Sequence, residues 1–301
     1  MEVSSDHVGA FTKPLDTEIT ARMAMNYAAS VDDNNPVYFD DSREGGIIAP
    51  PMVGVALTWP FSGDFLHTWD PDSFPHPFPY EIMQRQVHYT ETLIWHRVMR
   101  PGDKLHLQGT MAAILPHRAG TELVVRYEAT DQIGAPVFTE YVGALLRRVR
   151  CTDAGAGASN LPAVSEPPPN AAPIWEDRIA IGPLAAHVYD GCTNMHFPIH
   201  TSVAFARSVG LQGIILQGTA TLSLAARELV DREADRDPSR LHRLSCQFTG
   251  MVTPDSAITV RLLHRERHDE ETALFFDVLT ANGRAAISKG YARLRASVPA
   301  G

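Results

Sequence analysis

GIILQGTATLSLAARELV, residues 213–230, begins as a glycine-bounded apolar run and turns at Gln217-Gly218 into a stretch of good helix formers. Leu222, Ala225 and Leu229 recur at i, i+3 and i+7, the spacing of one helix face, so an apolar helix over 219–230 is predicted. The first half repeats the order in shorter form: GIIAPP at 46–51, then the apolar helical segment MVGVALTW at 52–59. The segments downstream of the two copies match too. RPGDKLHLQGTM (100–111) and TPDSAITVRLL (253–263) are each a turn leading into an alternating strand. Residues 122–148 and 272–295 each read as two strands joined by a turn, with Gly134 and Gly283 in equivalent places. Each half is therefore one helix followed by antiparallel strands. That is an α+β plan, a curved sheet packed around an apolar helix, present twice as an intramolecular pseudo-dimer. The Ala-, Gly-, Ser- and Pro-rich stretch 151–173 has neither period and reads as a linker between units 1–150 and 174–301.

At 301 residues the chain has room for two cores, and 44% hydrophobic with 20% charged residues is a globular composition. A formal net charge of -9 argues against nonspecific affinity for nucleic acid and for a small-molecule partner. No segment sustains the ~18 apolar residues of a membrane span. The N-terminal MEVSSDHVGAFTKPLD lacks the basic flank and apolar run of a signal peptide, so a cytoplasmic address is expected. Cys151, Cys192 and Cys246 are odd in number and without CxxC spacing, which predicts free thiols.

The chemistry concentrates in GCTNMHFPIHTS, residues 191–202. His196 and His200 have the spacing of a zinc helix, but Pro198 between them prevents one continuous helix. A loop through His196 and a helix from about Pro198 to Val209 are predicted, with His200 in its first turn. Without an HExxH glutamate or a third ligand, no metal is expected. Downstream, the helix beginning at Gly218 offers unpaired N–H groups to a developing oxyanion, and glycine permits close approach. A histidine at one helix start and an N–H at the next suit enolate formation from a thioester.

These residues resemble the MaoC-like (R)-specific enoyl-CoA hydratases and dehydratases, here in the double-hotdog form, along nearly the whole chain. The family's motif is D-x-N-P-x-H, then a helix, then G-x-I-x-H-G. Pro198, Ile199 and His200 match P-x-H; Gly213 to Gly218 match the second element, with Gln217 in place of its histidine. In the first half Asp33, Asn35 and Pro36 match, while Tyr38 replaces the histidine, so this half is similar to the degenerate N-terminal repeat that walls the acyl chain. The resemblance implies reversible addition of water to a 2-enoyl-CoA, giving a 3-hydroxyacyl-CoA. His200 would be the general base and the Gly218 N–H the carbonyl donor. The substrate would be an acyl-CoA or acyl-carrier thioester, with no cofactor, no nucleic acid and no membrane partner, and a homo-oligomer of double-hotdog protomers is left open. Met195 stands at the motif's aspartate position. The stretch is closer to the T-F-N-x-H-x-I-H variant of mitochondrial type 2 hydroxyacyl-thioester dehydratases and mesaconyl-CoA hydratases. That variant makes Asn194 the candidate for holding the attacking water, with Asp190 or His196 as proton partner.

Other readings stand beside this one. A hotdog acyl-CoA thioesterase would need the same pocket and helix start, and a noncatalytic acyl-thioester-binding or assembly subunit would account for Met195 and Tyr38. His196 is open between loop hydrogen bonder and site residue. Cys192 is read as small-residue packing. The acidic cluster at Asp32-Asp33 is read as solvated or capping the helix after Pro36, with Asp33 also a candidate facing the site. Residues 58–80 hold seven aromatics and five prolines. They are read as a cap over an apolar acyl pocket for a bulky or aromatic group, or as a private mini-core.

Overall fold

A computed structural model describes residues 1–168, 172–268 and 270–296. Residues 169–171 of the expected linker and 297–301 of the second unit lie outside the described residues. The first half runs β1 (Glu2–Val3), β2 (Leu15–Glu18), α1 (Ala21–Ser30), α2 (Gly54–Gly63), α3 (Phe65–Thr68), β3 (Gln86–Trp95), β4 (Lys104–His117), β5 (Gly120–Thr130), β6 (Pro136–Arg147) and β7 (Arg150–Cys151). The second runs β8 (Trp175–Ile181), α4 (Ala185–Thr193), α5 (Val203–Ser208), α6 (Gly218–Glu233), β9 (Leu241–Phe248), β10 (Ser256–Arg267), β11 (Glu271–Thr280) and β12 (Ala285–Arg295).

Ten strands form one sheet in the order β2-β4-β5-β6-β3-β9-β12-β11-β10-β8, which reads the same from either edge once each strand is replaced by its repeat partner. The halves join through antiparallel β3 and β9, with Thr92 opposite Ser245 and Leu93 opposite Leu244. This is the double-hotdog architecture, a two-fold interface made within one chain. Gly134 and Gly283 both take the left-handed conformation, φ 81° and 77°, in the corresponding turns.

The repeat is close enough to pair residues. Ile48 N donates to Val37 O (3.1 Å) as Ile215 N does to Ile199 O (3.4 Å), and Ala49 N to Met99 O as Leu216 N does to Val252 O (both 2.8 Å). Hence Tyr38 corresponds to His200, Pro50 to Gln217 and Pro51 to Gly218. A left-handed residue follows each of helices α1 and α4, Asp32 and Asn194, and aligning the two makes Ala28 correspond to Asp190 and Tyr27 to Tyr189. The two tyrosines meet at the pseudo-two-fold, their hydroxyls 2.8 Å apart, and Ser223 of α6 lies 3.0 Å from Tyr27 Oη.

α6 is the principal buried helix: Leu222, Ala225 and Leu229 are fully buried, and the burial continues onto its other faces. Each such leucine contributes roughly 1.5–3 kcal/mol, against the ordering entropy. α2 packs on β6, where Gly54 lets the backbone approach the Phe138 ring. The expected linker is pinned to the sheet. Asn160 Nδ2 donates to Ala112 O (2.9 Å), Arg243 to Ala163 O (2.5 Å), and Lys289 meets Glu166 (2.6 Å). Among the described residues no helix is long and apolar enough to cross a membrane. The three cysteines are free thiols.

The expected helix from Pro198 to Val209 is divided. Pro198–His200 form a 3-10 turn, and α5 starts at Val203, because the Ser202 hydroxyl accepts from Phe205 N (3.2 Å) and caps it there. His200 therefore sits on a separate turn before the helix. After Pro36 the capping is done by Asn35, whose Oδ1 accepts from Val37 N (3.2 Å), while Asp33 Oδ1 accepts from Asn35 N (3.1 Å). The aromatics of 58–80 spend themselves largely on one another: Phe65, Trp69, Phe74, Phe78 and Tyr80 pack together, with His7 against Phe74 and Phe78.

Candidate active site

His200 Nδ1 lies 2.9 Å from Ile215 O. A carbonyl only accepts, so Nδ1 carries the hydrogen and Nε2 keeps the lone pair of a base. The half-buried imidazole is held below its ordinary pKa by desolvation, opposed by the Ile215 carbonyl and the nearby Asp190 carboxylate. Ile215 is three residues from Gly218, so this hydrogen bond also ties the base to the start of α6.

Gly218 opens that helix, and its N–H finds no acceptor among the described residues. Gln217, 3% exposed, donates from Nε2 to Ala186 O (3.1 Å), which braces the helix start against α4; its Oε1 is buried without a partner among the described residues. A β carbon on Gly218 would lie 3.2 Å from the Phe248 ring. Gly218→Ala therefore has to displace that ring, and kcat/KM for a thioester substrate should fall roughly ten- to a hundredfold with little change in the melting temperature. Steady-state kinetics beside a thermal melt checks this; unchanged kinetics would remove the α6 start from the site.

The other residues of 190–196 form one cluster. Asn194, at φ 60°, caps α4, a conformation asparagine tolerates, and its N–H donates to Asp190 O (2.9 Å). Its Oδ1 lies 2.8 Å from His196 Nε2, and His196 Nδ1 lies 2.8 Å from Asp190 Oδ2. Asn194 thus contacts His196 rather than His200. Met195 is 6% exposed and belongs to the core.

In the first half Tyr38 is 2% exposed, packed with Ala28 and Ile48. Pro51 stands where Gly218 stands and has no N–H to offer. Asp33 lies beside Tyr38 in a small cleft that Arg227 also lines, and burial lifts its carboxyl to about 6. This half has neither the imidazole nor the N–H group at the corresponding positions.

Sequence reading missed two buried carboxyls on the first half's side and a histidine beside them. His88 packs on Phe248 (ring centroids 4.5 Å), and its Nε2 lies 3.0 Å from Glu91 Oε2. Glu91 on β3 and Glu140 on β6 are 1% and 2% exposed, and the Thr58 hydroxyl of α2 donates to Glu140 (2.5 Å). Burial raises both carboxyls, Glu91 to about 8, and each glutamate acts on the other. The signal was in the alternation: Glu91 shares strand parity with Leu93 and Trp95, positions that read as core. Among the described residues no three His, Cys, Asp or Glu side chains converge as metal ligands.

The MaoC-like domain family matches residues 165–278 and the FAS1-like dehydratase domain region matches residues 6–140. The chain thus matches the MaoC-like domain in its second half and a dehydratase region in its first. Its fold is that of the MaoC-like dehydratase of Phytophthora capsici, with TM-score 0.82 and 19% identity over 98% of this chain and 97% of that one. It is 40% identical over 84 residues to a fatty acid synthase β subunit of Aspergillus oryzae, covering 27% of this chain and 4% of that protein. To an enoyl-CoA hydratase of Mycobacterium tuberculosis it is 27% identical over 110 residues, 36% of this chain and 38% of that one. The chain thus matches only a small part of the fungal subunit and under half of the mycobacterial hydratase.

Proposed function

We propose that this protein adds water across the 2,3 double bond of a 2-enoyl-CoA, or removes it from the 3-hydroxyacyl-CoA. The observation that carries the reading is the His200–Ile215 hydrogen bond, which leaves Nε2 unprotonated and ties the imidazole to the backbone three residues before the helix start. His200 Nε2 takes a proton from water as the water oxygen bonds to Cβ. The electron pair displaced onto the thioester oxygen is met by the Gly218 N–H, which is already oriented and needs no reorganisation. Tyr38 and Pro51 leave the first half without this chemistry and give it the role of enclosing the acyl group. The enoyl-CoA hydratase relative supports the substrate class.

The test is a panel of enoyl-CoA and 3-hydroxyacyl-CoA thioesters, short and bulky, followed through the conjugated double bond. Turnover of at least one is expected. Failure on every member sinks the reading, and release of free thiol from a saturated acyl-CoA would put a thioesterase in its place.

A further inference from the structure

The base needs a partner that returns a proton to Cα, and Met195, a thioether in the core, has none to give. The repeat shows which side chain lies nearest the gap. Ala28, Tyr38 and Ile48 form one packed cluster in the first half, and their counterparts are Asp190, His200 and Ile215. Where the first half has Ala28 packed with Tyr38, the second has Asp190 at the corresponding position, near enough for its charge to act on the His200 imidazole. Asp190 is 13% exposed at its side chain, and its Oδ1 is buried with no hydrogen-bond partner among the described residues. Such an oxygen carries a desolvation cost that a water or a reacting group would relieve. Its Oδ2 is engaged by His196, whose own side chain is 64% exposed. Both His196 nitrogens are engaged, one by Asp190 Oδ2 and the other by the Asn194 side chain, so the ring is held fixed against the carboxyl.

We propose that the Asp190–His196 pair is the proton donor to Cα, taking over from the aspartate missing at Met195, with exposed His196 as its port to bulk water. The proposal rests on the hydratase reading. In hydration, the water oxygen forms its bond to Cβ as His200 Nε2 takes the water proton, and the π pair moves into the enolate. The proton held between His196 Nδ1 and Asp190 Oδ2 passes through the Asp190 carboxyl to Cα, and the enolate pair becomes the new C–H bond. His196 then takes one proton from bulk, and His200 releases one as product leaves. One proton enters, one departs, and the net change is addition of one water. Asp190 touches the reacting atoms; His196 acts through it and is a positioning residue, as is Asn194, which holds His196.

The experiment compares His196→Gln and Asp190→Asn with the wild type on its best enoyl-CoA, at low buffer and with added imidazole. His196→Gln should lose about tenfold in kcat with KM little changed, and imidazole should restore most of the loss, which repair of a merely structural defect would not produce. Asp190→Asn should lose ~10²-fold or more and gain nothing from imidazole. Unchanged kcat in either variant overturns the relay, as does a His196→Gln loss that imidazole leaves untouched. These outcomes are read against a wild type that turns over; a wild type inert on the whole panel removes the hydratase reading and the relay together.

Discussion

His200→Ala is expected to lower kcat by about 10²–10⁴-fold, the range a positioned general base contributes. The Gly218 N–H and the pocket remain, so substrate binding should persist and KM should move much less than kcat. The imidazole is half-buried on a turn at the edge of the site, and its removal should cost little stability. A melt beside the kinetics separates the two effects. The pH profile supplies a second check. Burial lowers the His200 pKa, so the neutral base survives below its ordinary value, and the acid limb of kcat/KM should fall below about pH 6.5. Activity within about twofold of wild type would place the base elsewhere.

The second large effect is on stability. Glu91, raised to about 8, holds its proton in the folded protein where an unfolded glutamate has lost it above about 4.5. A raised folded pKa means the native state binds more protons, so the group's contribution is complete below the unfolded value and declines as pH rises toward 8. Glu140 is raised in the same direction by burial and by Glu91. The histidines His7, His88, His96, His200 and His242 are all lowered, which has the opposite sign but acts below about pH 6.5. Between pH 6.5 and 8 the glutamates dominate, and stability should fall by roughly 1.4 kcal/mol per pH unit for each proton retained. Glu91→Gln keeps the shape and removes the titration. It should flatten that slope and raise the melting temperature at pH 8. A variant with the wild-type slope in denaturant melts across this window would show that Glu91 does not hold the proton.

The period and the punctuation of the chain carried the architecture. Leu222, Ala225 and Leu229 announced α6, and the paired GII runs and glycine turns announced that the plan occurs twice, because helix spacing and turn stereochemistry are local properties. Pro198 separated the two histidines for the same reason. His200 and Gly218 were legible as neighbours in a motif. Four things were decided only in three dimensions. Ser202 cuts the helix after His200, since a capping hydroxyl outcompetes continuation. Pairing of β3 with β9 sets His88 against Phe248 and Glu91 opposite Cys246, partners more than 150 residues later in the chain. Packing buried Met195 and turned its neighbour Asn194 toward His196. Finally, the two-fold makes Asp190 the counterpart of Ala28, which brings a carboxylate of the preceding helix near enough to act on the His200 imidazole. Sequence determines what a residue can do and which face of its own element it occupies. Which distant group it meets, and at what cost in lost water, is settled only when the two halves of the sheet join.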